Sequence, residues 1–213
     1  MAALIPNAFP DTSNPAIASY SYTDIAEGTG VIKLYGFIDS GGTPTLAEQV
    51  VYSSSIESTG SKTTSGAYST ISDLDFDLSA FNYPKMIKGT ALVGYGYAFD
   101  QTNYGYGKII FTVRKWDGTT ETDIASGTWA RENAPDAKAA QVTKITIPEH
   151  HFKRGEILRL NVLSQARSDD ASAVRLTIGT DPMNRDGTYI IPSTDTPTTT
   201  TKLEFYCPFK IDI

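Results

Sequence analysis

Lys202-Leu203-Glu204-Phe205-Tyr206-Cys207-Pro208-Phe209-Lys210-Ile211 alternates apolar and polar residues over its whole length. Period-2 alternation puts successive side chains on opposite faces, so Leu203, Phe205, Cys207, Phe209 and Ile211 face a core from a β-strand. Pro208 falls on the other parity and removes one ladder donor. The strand is therefore expected at an edge, or with its proline turned away from pairing. The same reading extends back along the chain. Val31–Ile38, Gln49–Ile56 and Tyr68–Leu78 read as strands, the last with a one-residue slip near Asp73 that a bulge would produce. Lys108–Trp116 ends at Asp117-Gly118, which predicts a hairpin with Thr122–Trp129. Val142–Ile147, Glu156–Leu163 and Ala173–Ile178 follow. About ten strands with little helical pattern between them predict an all-β fold: a two-sheet antiparallel β-sandwich, jelly-roll-like. Leu46–Val50 and Ala134–Gln141 are short candidates for helix. Residues 1–18 hold Pro6, Pro10 and Pro15 among Leu4, Ile5, Phe9 and Ile17. They read as an extended proline-rich arm, because proline disfavours both helix and central strand. Residues 19–213 are the expected sandwich domain.

With 213 residues the chain can bury roughly 70% of its unfolded surface without cross-links. Its single cysteine, Cys207, allows no intrachain disulfide and no cysteine-based metal site. The net charge of −6 argues against nucleic acid and against anionic lipid as partners, since both need an excess of Lys and Arg. No stretch approaches a transmembrane helix. The first seven residues lack the basic and apolar regions of a secretory leader.

Chemistry is sparse. The two histidines, His150 and His151, are adjacent, so a strand or turn sends them to opposite sides. No Gly-x-Ser-x-Gly elbow presents a nucleophile. Asp73, Asp75 and Asp77 share one strand face, and read as a solvated face before a calcium site. Asp181-Pro182-Met183-Asn184-Arg185-Asp186-Gly187 has the wrong acidic spacing for a calcium loop and reads as a tight, hydrogen-bonded turn capped by Asp186-Gly187. Pro192–Thr201 is Thr-rich and is expected to be an exposed loop. The most informative segment is Ala91–Lys108. As a hairpin around 100–103 it would place Tyr95, Tyr97 and Phe99 on one face and Gly94, Gly96 and Ala98 on the other, with Tyr104 and Tyr106 across the turn. Repeated glycine costs strand stability, so something is expected to approach that backbone closely. The aromatic row suits ordinary cross-strand packing, a protein interface or stacking on sugars. No catalytic, cofactor-binding or metal-ligating residue is singled out. Leu4, Ile5, Phe9, Tyr95, Tyr97, Tyr104 and Tyr106 are the interface candidates.

Three segments carry a family resemblance: Phe152-Lys153-Arg154-Gly155-Glu156-Ile157-Leu158-Arg159-Leu160, Ile178-Gly179-Thr180-Asp181-Pro182-Met183-Asn184-Arg185, and Phe205–Ile213. Together they resemble virion proteins of tailed viruses (bacteriophage). The first also occurs in carbohydrate-binding jelly rolls as a turn leading into a strand. The resemblance implies a non-enzymatic capsid decoration, cement or short appendage subunit located on the virion. It would form a homo-oligomer, often trimeric in that group, and bind itself and the major capsid or another virion protein. No cofactor is implied. Two other functions fit the residues: a carbohydrate-binding module using the Tyr-rich hairpin to hold a glycan, and a glycan hydrolase or lyase on a β scaffold.

Overall fold

The computed structural model describes residues 29–63, 66–101, 105–134, 137–168, 172–191 and 199–210, and among these there is no helix. The strands are β1 (Thr29–Ile38), β2 (Pro44–Ala47), β3 (Glu57–Lys62), β4 (Ser69–Asp77), β5 (Lys85–Gln101), β6 (Gly105–Trp116), β7 (Glu121–Ala134), β8 (Ala137–Phe152), β9 (Ile157–Ser168), β10 (Val174–Gly179) and β11 (Leu203–Lys210). Their hydrogen-bonded order is β3-β10-β5-β11-β1-β2-β4-β9-β6-β7, with β8 paired to β5. The all-β class stands. In place of two separate antiparallel sheets, the ladder is one continuous sheet, mixed because β2 and β4 join through a parallel bridge, Thr45 to Asp77. The sheet folds over its own core. Tyr95 of β5 meets Phe111 of β6 with ring centres 4.7 Å apart, and Tyr97 meets Trp129 of β7 at 4.4 Å. Leu34, Phe76, Phe111, Leu160 and Phe205 are fully buried between the two halves.

Several elements lie where alternation puts them. β6 and β7 form the expected hairpin, with Gly118 at φ 98° and the Asp117 carboxylate accepting the Thr119 and Thr120 amides. β4 carries its slip between Thr70 and Ser72, two residues ahead of the predicted place. Other expectations change. Gln49–Ile56 is not a strand: Ser53 Oγ accepts the Ile38 amide and donates to the Ser55 carbonyl, taking the place of ladder bonds. Leu46 and Ala137–Gln141 are in strands. Ala137 and Ala139 sit opposite Phe99 and Tyr97 in register, where small side chains leave room for the rings, and that packing overrides alanine's helix preference.

The expected β5–β6 hairpin does not form. β5 pairs with β8, β10 and β11, and β6 pairs with β7 and β9, so the chain crosses from one half of the sheet to the other between them. β11 is central between β1 and β5, not at an edge. Pro208 is accommodated because the β11–β5 register shifts between Tyr206 and Phe209, a bulge in which no donor is needed.

β5 explains the glycines. Along one of its edges β11 pairs with Leu92–Tyr95 and β10 then pairs with Tyr97–Gln101. The handover falls at Gly96. The chain entering β11 lies across it, and a Cβ at Gly96 would overlap the Thr200 carbonyl, as one at Gly179 would overlap Thr201. Thr200 and Thr201 are accordingly buried, so the end of the Thr-rich segment is packed rather than exposed, while 192–198 lie outside the described residues.

Two measurements follow. Gly96→Ala forces backbone against backbone and is expected to cost on the order of 3 kcal/mol in urea unfolding, whereas Gly41→Ala on an exposed turn should cost under about 1 kcal/mol. Burial raises the Cys207 thiol and the Tyr95 and Tyr206 phenols above their ordinary values. These groups hold their protons in the fold, so their contribution is full below the unfolded values, roughly 8.5 to 10, and is lost as pH rises toward the folded ones. The urea midpoint should fall steadily from about pH 8 to pH 10.5; an unchanged midpoint would contradict the burial of these groups.

Candidate functional site

On β10, Val174, Leu176 and Ile178 are buried in the core, and period 2 sends Arg175 and Thr177 to the outer face. Register sets Arg175 opposite Asp100 and Thr177 opposite Ala98 on β5, and Ala98 opposite Lys138 on β8. Three adjacent strands thus present charges around a floor of small residues. The result is a groove of about 470 Å³ lined by Ala98, Asp100, Lys138, Arg175, Thr177 and Tyr189, among others. Arg175 Nη1 donates to Asp100 Oδ2 at 2.6 Å, and its guanidinium carbon lies 4.5 Å from the centre of the Tyr189 ring. Both charged partners are about half exposed, with side-chain accessibilities of 37% for Arg175 and 49% for Asp100, so a ligand in water can reach them.

The wall carrying Tyr189 is held from below. Glu57, the first residue of β3, accepts the amides of Thr188 (2.8 Å), Tyr189 (2.9 Å) and Ile190 (3.2 Å). Gly187 makes room for that carboxylate, since a Cβ there would run into it. Just upstream, Asp181 is fully buried and accepts the backbone amide of Arg185 at 2.8 Å and its Nε at 3.0 Å. Asn184 adopts φ 57° and its side-chain oxygen accepts the Thr201 amide at 3.0 Å. This is the hydrogen-bonded turn that the sequence predicts, organised by Asp181. Ile190 and Ile191 pack on Ala98 as a small second core.

Other polar clusters are internally satisfied. Asp73, Asp75 and Asp77 are an ion-pair ladder, not a bare solvated face. Asp77 takes Arg159 through two bonds, 2.6 and 2.8 Å, and Asn161 Nδ2 donates to Asp73 and Asp75. Arg159 also reaches Glu121, and Arg114 joins Asp75, Glu121 and Asp123. The hydrogen bonds that Asp77 accepts from it outweigh partial burial and raise the Arg159 guanidinium further above its usual value. On the outer face of β11, buried Glu204 takes Lys33 at 2.7 Å and the Tyr206 hydroxyl at 2.9 Å. Burial, the largest single influence, lowers Lys33, but Glu204 and Tyr35 together outweigh it and the ammonium is raised. His150 is lowered by burial and packs edge-on against Phe152, while exposed His151 meets Glu149 at 3.3 Å. Among the described residues neither histidine holds a hydroxyl or thiol, and no three His, Cys, Asp or Glu come together as a metal site would require. A wider cleft of about 1200 Å³ near Phe81, Tyr83 and Phe209 is lined mainly by apolar surface, with Glu48, Lys85 and Lys210 also on its walls.

The sequence-derived interface candidates are dispersed. Tyr95 and Tyr97 are buried in the core, because the face they share with Phe99 is the inner one. That removes the exposed aromatic row on which a sugar-binding hairpin depended. Tyr106 points outward beneath Arg167, whose guanidinium lies 3.8 Å from its ring centre. Leu4, Ile5, Phe9, Tyr104 and the arm 1–18 lie outside the described residues. Asp100, Arg175 and Tyr189 were not singled out from the sequence. The available signal was the outward parity of Arg175 in an otherwise apolar strand.

No family model matches the chain and no curated protein matches it. Among solved structures it shares its fold with an α-amino acid ester hydrolase, at 10% identity and a TM-score of 0.56, over 84% of this chain and 36% of that one. It is also similar to an aminopeptidase from a marine sediment archaeon, Thaumarchaeota archaeon, at 8% identity and a TM-score of 0.51, over 87% and 37%. A looser likeness is to the infectious bursal disease virus Gt strain, at 11% identity and a TM-score of 0.32, over 98% and 41%. The chain therefore spans little more than a third of either hydrolase. These findings overturn the expectation of a non-enzymatic capsid decoration or appendage subunit: the α-amino acid ester hydrolase and the aminopeptidase share the fold above a TM-score of 0.5, and the viral likeness falls well below it.

The groove wall yields a direct check. Glu57→Gln removes a charged acceptor shared by three amides and is expected to cost about 2 kcal/mol, with faster hydrogen exchange at Thr188–Ile190. Exposed Glu48→Gln should leave both quantities unchanged within about 0.5 kcal/mol.

Proposed function

We propose that this chain serves in the hydrolysis of α-aminoacyl substrates, as the β portion of a hydrolase. The observation that carries this reading is the shared fold with an α-amino acid ester hydrolase over 84% of the chain. The likeness to a solved structure titled aminopeptidase supports the reading. In each case the likeness takes in about a third of the larger protein, so the bond-breaking groups are assigned to residues beyond those described here. The reaction is addition of water to the acyl carbon, which releases the alcohol or amine and leaves an amino acid carrying a carboxylate. This chain's part is recognition. The outer face of β10, β5 and β8 offers Asp100 for a substrate ammonium.

The test uses the chain purified from its own source, so that any polypeptide completing the site accompanies it. Hydrolysis of alanine p-nitrophenyl ester is expected to co-elute with the chain on gel filtration. The N-acetylated ester, which lacks the ammonium, should react about tenfold more slowly. Absence of ester hydrolysis from the chain's own peak overturns the reading.

A further inference from the structure

We propose that the Asp100–Arg175–Tyr189 groove binds a free amino acid or a short peptide through both of its charges, ammonium and carboxylate. The inference deepens the hydrolase reading by naming a zwitterion. Its identification as a hydrolysis product rests on that reading; the binding itself does not.

Three observations carry the argument. The first is the sign pattern. Asp100 lies between two cations across adjacent strands: Arg175 directly opposite on β10, and Lys138 on β8 one outward residue away along β5. A ligand with one negative and one positive group matches this arrangement at both ends. A simple anion would leave Asp100 facing like charge, and a simple cation would face Arg175 and Lys138.

The second is preorganisation. The Arg175 guanidinium lies over the Tyr189 ring and is tied to Asp100, so its planar fork is held in place before any ligand arrives. Tyr189 is fixed in turn by Glu57 through the backbone amides around it. A wall ordered in advance reduces the entropy lost on binding.

The third is size and lining. The floor is Ala98 and Thr177, both buried, and the Thr177 hydroxyl is already engaged by Thr59 at 2.6 Å. It therefore presents little unsatisfied polarity under the ligand's aliphatic carbons. A volume of about 470 Å³ falls in the range of small-molecule sites and admits a dipeptide.

Binding is measured by calorimetry on the full chain at low salt with three probes: alanyl-alanine, N-acetyl-alanine carrying only the carboxylate, and alanine amide carrying only the ammonium. The dipeptide is expected to bind at least about tenfold more tightly than either single-charge probe. Arg175→Gln and Asp100→Asn should each weaken it by about tenfold while the thermal midpoint stays unchanged, because both side chains are half exposed. Arg175→Lys should restore only part of the loss, since an ammonium lacks the planar fork. Equal binding of N-acetyl-alanine and the dipeptide would show an anion site, and no binding of any probe would show an empty surface groove; either result overturns the proposal. Dipeptide binding that is lost in both variants, in a preparation without ester hydrolysis, upholds the groove and overturns only the hydrolase reading.

Discussion

Two strands share one edge of β5, and the rest of the molecule is arranged around that shared edge. β5 is 17 residues long, too long for either partner alone to satisfy. β11 takes its first part and β10 its last, and the segment feeding β11 must enter where β10 ends. That passage is possible only if the backbone there carries no side chain. Gly96 and Gly179 supply the gap, and Thr200 fills it. The price is the loss of strand propensity at both glycines. In return the outer face of β5 is covered around Gly96, and a carbonyl of the crossing segment finds a partner: the Asp181 amide donates to Thr201 O at 2.8 Å.

The aromatic residues of β5 lie on its inner face, in the core. Tyr95 is buried with its hydroxyl 3.2 Å from that of Thr143, and Tyr97 beside it stacks on Trp129. A buried phenol needs such a partner, because an unsatisfied hydroxyl in the core costs as much as the ring's packing gains. The same logic governs the outer face of β11. There Glu204 is buried, which is tolerable only because Lys33 and Tyr206 both reach it. Polar groups on this protein's outer faces are thus largely committed to one another, in the Asp77–Arg159–Arg114 ladder and in the Asp181–Arg185 turn alike.

Much of the architecture was legible because alternation is a local signal. Strands such as Leu203–Lys210 and Ile157–Ser168 show it whichever neighbours they take. What alternation does not carry is the identity of the neighbour. Tyr95, Tyr97 and Phe99 were correctly placed on one face, and the glycine row correctly implied a close approach, but nothing in the sequence says which face is inner. The β5–β6 link reads as a hairpin because it is short and contains Asp and Asn, and only the core contacts of Tyr95 with Phe111 show that it is a crossing between halves. Glu57-Ser58-Thr59-Gly60-Ser61-Lys62 is almost wholly polar, so it gave no strand signal at all. It is a strand because β10 supplies its hydrogen bonds. The groove was hidden for the same reason: Asp100, Arg175 and Lys138 are 37 to 75 residues apart, and register alone brings them together.

The groove's position follows from the constraint at Gly96. Among the described residues, the chain that crosses Gly96 and the turn that precedes it, Asp181 to Ile191, cover the outer face as far as Ala98, where Ile190 and Ile191 pack. Beyond Ala98 the same face of β5 continues to Asp100, with no layer above it among the described residues. A side chain there is no longer required to be small or apolar, and charge becomes permissible. The boundary between covered and uncovered sheet is therefore also the boundary between glycine and charge. Tyr189 stands on that boundary, with Glu57 holding its backbone from the covered side and Arg175 resting on its ring from the open side. A concave, half-wetted site with a fixed wall lies there, where Ile190 and Ile191 pack on Ala98 and the neighbouring outward residue, Asp100, is half exposed.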